Sequence, residues 1–598
     1  MCGIIGCVGR SDETLETLVH GLSKLEYRGY DSAGVALIDG DRLGVLKRAG
    51  ELEALRGALE ERGDLSGSVG IGHTRWSTHG PPTDENAHPH LDCTGSVAVV
   101  HNGIIENYQE IRDELDAEGH EFESDTDTEV VPHLIETGIE AGRDPETAFR
   151  DAIDRLEGSF AIAGVVAGEA TVFVARNDSP LVLGIAEDAT YLGSDVPAFR
   201  AFTDQVVYLD DGEFAELSAD SWQVTDTDGN AVEKPIETVS WDPEDTGKSG
   251  YDHFMLKEIH EQPRALRQCL SGRVDELVGD VTVEELGEID LGRVQLVAAG
   301  TSYHAALYGA EMLRSEGISA EAYYAHEYAM SPPPIENATV VGVSQSGETA
   351  DTLAATREAR RRGARTLALT NTVGSTMARE CNEVLYIRSG PEIGVAATKT
   401  FAGQQTALNL LAQVARPDPP ERALVSALRD LPGDVQTILD ESEAETVAEA
   451  YLDSEAYFFI GRGLNYPVAM EGALKMKEIS YEHAEGFAAG ELKHGPLALV
   501  TGDTPVFATV TGDGELARKT VGNVKEVEAR GAPVVAITDG KSDVSRYADH
   551  TLEIPETEPR TAAILANVQL QLVSYYTAAK LGRPIDKPRN LAKSVTVE

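Results

Sequence analysis

Apolar residues along the first 220 positions gather in short runs bounded by glycine. "SVAVVHNGII" and "SFAIAGVVAG" have the length and flanks of buried strands. Between them, "NYQEIRDELDAEGH" carries its apolar residues at helical spacing and closes on Gly119, which predicts a helix. Further on, "QVTDTDGNAV" predicts a hairpin turning at Asp228-Gly229. The stretch after it, "SWDPEDTGKSGYDHF", is polar and rich in Asp, Gly and Pro, the composition of a linker.

From about residue 287 the pattern becomes short apolar strands alternating with helices, which predicts parallel α/β sheets. It also repeats. "VQLVAAGTS" and "AYFFIGRG" are each a strand running into a glycine turn and then a helix. "RRRGARTLALTN" and "VEARGAPVVAITD" correspond in the same way. The repeat is too long for a solenoid unit, so two copies of one α/β domain are expected, joined around residues 425–450. The division is then 2–220 with its hairpin reaching about 240, a linker over 241–283, α/β domains over 284–425 and 447–588, and a tail over 589–598.

Charge adds a constraint. Among 598 residues, 101 Asp and Glu face 50 Lys and Arg, a formal −51. Acidity spread this evenly argues against nucleic acid or an anionic membrane as partner. It fits solubility in concentrated salt, where repulsion is screened within roughly 3 Å at 1 M. Cys2, Cys7, Cys93, Cys269 and Cys381 are scattered, with no C-x-x-C and no Cys/His ligand spacing, so neither a disulfide framework nor a metal site is indicated. No cofactor is expected. Asp12 and Glu13 stand where a signal peptide would be apolar, and no stretch approaches a membrane span, so a cytoplasmic protein is expected.

The chemistry begins at "MCGIIG". If Met1 is removed, Cys2 carries a thiol and a free α-amine, and an amine of pKa roughly 8 is a suitable base for the thiol. Gly3 is then expected to be bare for substrate approach. An oxyanion hole needs two donors, and Asn102-Gly103 can offer a side-chain amide and a backbone N–H. For an amino-acid amide substrate, Arg75 could hold the carboxylate and Asp127 the ammonium group. Singly, each has a duller reading: "HNG" as a turn, "TRW" as a salt bridge beside a packed indole, Asp127 as a helix cap.

In sequence, "CGIIG", "YRGYDSAG", "HTRWSTHG", "NAHPH", "HNGIIEN" and "TDTEV" resemble the glutaminase domain of class II glutamine amidotransferases, which are N-terminal-nucleophile hydrolases. The resemblance implies a four-layer α/β/β/α fold and hydrolysis of glutamine to glutamate and ammonia. Cys2 would be the nucleophile, its amine the base, and Asn102 with Gly103 the oxyanion hole. Arg75, Thr78, His79 and Asp127 would grip glutamine, and Trp76 would gate a dry passage for ammonia.

In the second half, "ATVVGVSQSGETADTL" sets a strand before Ser344-Gln345-Ser346-Gly347 and a helix from about Thr349. Clustered hydroxyls and N–H groups at a helix N-terminus suit phosphate, with Thr301 and Ser302 of "GTS" as a second wall; ordinary capping is the plainer alternative. "KMKEISYEH" reads as helix, so Lys475 and Glu478 share a face. The repeated domain with "SQSGET" resembles the SIS phosphosugar-binding domain. Its union with a glutaminase, together with "EIGVAATKTF", "EGALKMKEISYEHAEGFAAGELKHGPLAL" and "KPRNLAKSVTVE", is similar to the family that passes glutamine nitrogen to fructose 6-phosphate. That resemblance implies Glu478 as base for a C1-to-C2 proton shift, with Lys475 assisting. His494 would open the ring from a neighbouring subunit of a homodimer, and Lys593 would form a Schiff base. Ser344, Gln345, Ser346, Thr349 and Val395 would contact the sugar phosphate, and the strand-like "SVTVE" end would thread between domains. Two rivals stay open: an amidotransferase with another acceptor, and a phosphosugar-sensing regulator. No P-loop and no "SGGxDS"-like run is present to favour a nucleotide-using acceptor site.

Overall fold

The glycine-bounded runs of the N-terminal part become the strands of two stacked sheets in the computed structural model, which describes residues 2–10, 13–63, 65–77, 79–239, 247–275, 279–287, 289–416 and 420–595. One sheet has eight strands and includes Gly3–Val8, Ser32–Asp39 and Val69–Arg75; the other has six and includes Val97–Ile105 and Gly158–Val166. Alternation along each strand sends one set of side chains inward between the sheets, where Ile4, Ile71, Ala98, Val100, Ala161 and Val174 pack. The outer face of the six-stranded sheet is covered by Tyr108–Glu118, Val130–Glu140 and Pro145–Ile153 through Ile111, Val131 and Phe149. Thr14–Leu25 and Leu52–Arg62 cover the other sheet through Leu18, Leu22 and Leu55. These are the four layers expected. The helix Tyr108–Glu118 ends on Gly119 in the left-handed region, and the hairpin closes with Thr225 bridged to Ala231.

Residues 247–593 form a second compact unit. It holds two five-stranded parallel sheets. The first runs Ala320–Tyr324, Arg293–Ala298, Ala338–Ser344, Arg365–Thr370, Glu383–Tyr386; the second runs Ala484–Ala488, Tyr457–Gly461, Val506–Val510, Val534–Thr538, His550–Glu553. The strand order is the same in both, which is the duplication read from the sequence. In such sheets the carboxyl ends of the strands around the order reversal form the binding crevice. Pro559–Lys580 is buried nearly all round and belongs, with strands and helices of both repeats, to one continuous core.

The stretch read as a linker over 241–283 departs from that reading. Phe254–Leu270 is a helix, and its Met255, Ile259, Leu266 and Cys269 pack into the core of the second unit. Flanking Gly, Asp and Pro hid a 17-residue amphipathic element that starts only at Phe254. Residues 240–246 and 596–598 lie outside the described part; Ser594 and Val595 of the "SVTVE" end are not in a strand.

Two glycines set opposite limits on this packing. A Cβ on Gly461 would lie 2.0 Å from the Asn465 carbonyl oxygen at the turn into Asn465–Ser480. Gly522 sits exposed within the helix Glu515–Glu528 with nothing near its Cβ position. Gly461→Ala is expected to lower the thermal unfolding midpoint. Gly522→Ala should raise it, by the helix gain of roughly 0.5–1 kcal/mol, in the same calorimetric scan.

Candidate active sites

Cys2 immediately precedes the strand Gly3–Val8, which pairs antiparallel with Val69–Arg75, Gly3 opposite Thr74. That register brings the Cys2 sulfur to the backbone just past Arg75, where it accepts the Trp76 N–H at 3.2 Å. From the second sheet, Val97–Ile105 delivers Asn102, whose Nδ2 donates to the Cys2 carbonyl at 2.9 Å. Asn102 is itself held. Buried His73 Nε2 donates to Asn102 Oδ1 at 3.1 Å and to the His101 carbonyl at 3.0 Å. Both partners are acceptors, so the proton sits on Nε2, and burial pushes the His73 pKa down to about 3, keeping the ring neutral. The result is an amide whose NH2 is aimed at Cys2. Gly103 has φ +133°, and a Cβ there would meet the Ser159 carbonyl oxygen at 1.9 Å, so only glycine fits. Burial pushes the Cys2 thiol up from its ordinary value, opposed by the Trp76 N–H and the Arg75 charge.

Other residues of this half differ from expectation. Gly3 is demanded by packing, since a Cβ would sit 2.6 Å from both Leu25 Cβ and Thr74 Oγ1. Arg75 is buried, and its guanidinium donates to the carbonyls of His79, Gly80 and Pro81, clamping the loop that follows it. His79 lies edge-on to Tyr108 at 5.7 Å, and Trp76 edge-on to Tyr30 at 5.7 Å. Asp127 is buried and accepts the Ile105 N–H at 2.9 Å, while the N-cap of the next helix is Glu129; the helix-cap reading fails. Thr78 lies outside the described residues.

In the first repeat, Ala338–Ser344 ends at the expected loop, and the helix Ala350–Arg361 follows it. Ser344 Oγ lies 3.0 Å from Thr349 Oγ1 and accepts the Gly347 N–H at 3.0 Å; Ser346 Oγ accepts the Glu348 N–H at 3.1 Å. Gln345 accepts the Asn371 N–H at its carbonyl. Thr349 occupies the N-cap without a side-chain capping bond, so plain capping does not account for its hydroxyl. Gly347, at φ +66°, leaves no room for a Cβ beside Ser375 Oγ at 2.2 Å.

A buried polar cluster joins the two repeats. On Asn465–Ser480, Glu471, Lys475 and Glu478 recur at i, i+4 and i+7 and share one face. Lys475 Nζ donates to Thr301 Oγ1 at 3.0 Å, lies 3.3 Å from Glu471 and pairs with Glu478; Thr301 Oγ1 donates to Glu471 at 3.0 Å, and His304 Nδ1 approaches Glu471 at 2.7 Å. Burial alone would lower the Lys475 pKa, but the Glu471 and Glu478 carboxylates hold it up at about 12. Ser302 Oγ accepts from Gln404 at 2.9 Å. The Lys593 side chain is buried too: its Nζ donates at 2.5 Å to Glu392, which also accepts the N–H groups of Thr398 and Thr400 at 3.0 Å each. Burial opposes the Glu392 charge, yet the Lys593 ammonium and these donors bring its pKa to about 2. Glu258 accepts the N–H groups of Ile393 and Gly394 next to buried Val395; burial and the Glu392 charge push it up to about 7. His494 is exposed on the turn Glu491–His494 and shares no hydrogen bond with these groups among the described residues.

His73, Glu471, Glu392 and Glu258 were missed in the sequence. Glu471 had a legible signal, the i, i+4, i+7 spacing in "EGALKMKE". The others depend on strand register or on contacts between distant segments.

A glutamine amidotransferase domain model matches residues 73–201, and a SIS domain model matches 289–414 and 451–581. The chain is 52% identical to the glutamine–fructose-6-phosphate aminotransferase (isomerizing) of Halobacterium salinarum, with 100% of each chain covered. It is 50% identical to that of Symbiobacterium thermophilum, again over 100% of both. A solved structure, the C-terminal domain of glucosamine-fructose-6-phosphate aminotransferase from Francisella tularensis, is similar at 33% identity and TM-score 0.53, covering 57% of this chain and 100% of that one.

Glu392→Gln leaves the Lys593 ammonium buried without its counter-charge, a loss that in buried pairs costs about 3–5 kcal/mol. The tail should detach, and limited trypsin digestion should cleave after Lys593 much faster in the variant than in the parent.

Proposed function

The chain belongs to the glutamine–fructose-6-phosphate aminotransferase (isomerizing) family, and from that membership we propose how its own residues perform the reaction. It converts fructose 6-phosphate and glutamine to glucosamine 6-phosphate and glutamate, supplying the amino sugar of hexosamine synthesis. The observation that carries the sugar half of this reading is the buried cluster drawn from both repeats, with Thr301 and His304 from the first and Glu471, Lys475 and Glu478 from the second.

With Met1 removed, the Cys2 amine takes the thiol proton and the sulfur attacks the glutamine carboxamide carbon. The developing oxyanion is met by Asn102 Nδ2, already oriented through His73, and by the Gly103 N–H. Collapse expels ammonia, the amine returning a proton to the leaving nitrogen, and water then cleaves the thioester to release glutamate. Asp127 receives the substrate ammonium. Arg75 receives its carboxylate either directly or through the 79–81 loop it clamps, with Trp76, Thr78 and His79 lining the same site.

In the second unit, Ser344, Gln345, Ser346 and Thr349 hold the phosphate, with Thr301, Ser302 and Val395 nearby on the sugar. His494 opens the ring. Its exposure within one chain supports delivery from a second subunit, hence a homodimer. Lys593, after passing its proton on, adds to the C2 carbonyl and loses water to give the Schiff base; ammonia displaces the lysine. Glu478 then takes the C1 proton and returns it at C2 while Lys475 stabilises the sugar oxygen. A sensor would have no use for this buried acid–base set. No described helix is long and apolar enough to cross a membrane, which supports a cytoplasmic enzyme, and the −51 charge supports one working in concentrated salt.

Cys2→Ala should abolish glucosamine 6-phosphate formation from glutamine while conversion of fructose 6-phosphate to glucose 6-phosphate persists. Glu478→Gln should remove that isomerisation by about 10²–10⁴-fold and leave glutamine hydrolysis intact. Loss of both activities in either variant would contradict two separable sites.

A further inference from the structure

Away from Cys2, on the helix-covered side of the six-stranded sheet, four ligand-type side chains converge: Cys93, His120, His133 and Glu136. Cys93 lies in the turn between His90–Leu91 and Val97–Ile105. His120 follows the Gly119 cap, and His133 and Glu136 stand at i, i+3 on Val130–Glu140. Their donor atoms all lie within 4.8 Å of one another. Cys93 Sγ is 3.6 Å from His120 Nδ1 and 3.5 Å from His133 Nδ1; Glu136 Oε2 is 3.0 Å and 3.3 Å from the same two nitrogens. A tetrahedral zinc ion, with bonds of about 2.0–2.2 Å to N and O and about 2.3 Å to S, sets its ligands roughly 3.3–3.6 Å apart. These four of the six edges fall close to that tetrahedron, and the other two are within 4.8 Å.

The hydrogen-bond bookkeeping points the same way. Thr137 Oγ1 donates to the His133 carbonyl at 3.0 Å, so toward His120 Nε2, 3.1 Å away, it can only accept. That puts a proton on His120 Nε2, so in the neutral ring Nδ1 turns a bare lone pair toward the Glu136 carboxylate and the Cys93 sulfur. Two acceptors 3.0 Å apart repel unless a proton or a metal cation stands between them, and the thiol and second imidazole gathered around the same point suit the metal. The surroundings suit a metal: the Cys93 N–H donates to Glu136 Oε2 at 3.2 Å and the Glu121 N–H to Cys93 Sγ at 3.5 Å, both steadying anionic ligands. Glu136 and His133 are buried, His120 nearly so, and Cys93 closes the site from the exposed side.

We propose that Cys93, His120, His133 and Glu136 form a structural site for a divalent transition metal of the zinc class. With four protein ligands it has no open position for chemistry. On binding, Cys93 gives its proton to solvent and the metal–sulfur bond forms without any change of redox state. The ion would tie the Cys93 turn to the helix Val130–Glu140 across residues 121–129. That is the loop that carries Asp127, so the metal would stiffen the glutamine-binding side of the domain.

The full chain, treated with chelator and dialysed, should bind one equivalent of Zn2+ and show a raised thermal midpoint. With Co2+ it should give the intense visible bands of tetrahedral cobalt together with a thiolate-to-metal charge-transfer band. Cys93→Ser and His120→Ala should each weaken Zn2+ binding by at least about a hundredfold and abolish the midpoint shift. Zinc binding that survives in both variants would overturn the assignment. So would weak, octahedral-type Co2+ spectra in the parent chain, a readout that does not depend on either variant folding.

Discussion

Only the first residue of a chain carries a side-chain nucleophile and a free α-amine on the same residue, and the mechanism proposed for the N-terminal half rests on that constraint. Cys2 leads directly into a strand buried between neighbours on both sides, which fixes a terminus that would otherwise fray. The backbone just past the partner strand supplies the Trp76 N–H at the sulfur, and the strand itself supplies His73. His73 reaches into the second sheet to set the Asn102 amide, so the two sheets together hold the proposed nucleophile and oxyanion donor in one geometry. A neutral histidine is suited to this task because its protonation state does not change over the working range.

The C-terminal half solves a different problem: keeping several charges out of water. Lys475 lies between Glu471 and Glu478 and is bonded to Thr301, and Lys593 is matched with Glu392. Desolvation of each charge is offset by a partner and by backbone or hydroxyl donors. Duplication makes this possible. Two parallel sheets share one core through Pro559–Lys580, so residues of one repeat meet those of the other.

Much of this was legible in the sequence because the signals were local. The strand runs, the Gly119 cap, the repeated strand–turn–helix units and the "SQSGET" loop each announce themselves within about ten residues. What was hidden depends on contacts between distant segments. Glu392 meets Lys593 across 201 positions, and His73 meets Asn102 only through sheet stacking. The helix Phe254–Leu270 was obscured by the polar, glycine- and proline-bearing stretch ahead of it. Cys93, His120, His133 and Glu136 have no metal-ligand spacing along the chain, and the fold alone gathers them. Arg75 shows the opposite limit: its motif was plain, but its actual partners are the carbonyls of its own loop.

Every step in the first half requires that the amine next to the Cys2 sulfur be free. Intact mass spectrometry on purified, glutamine-dependent enzyme tests this directly. The active population should lack the mass of the initiating methionine and begin at Cys2. A fully active preparation that retains Met1 would contradict the assignment of nucleophile and base to one residue.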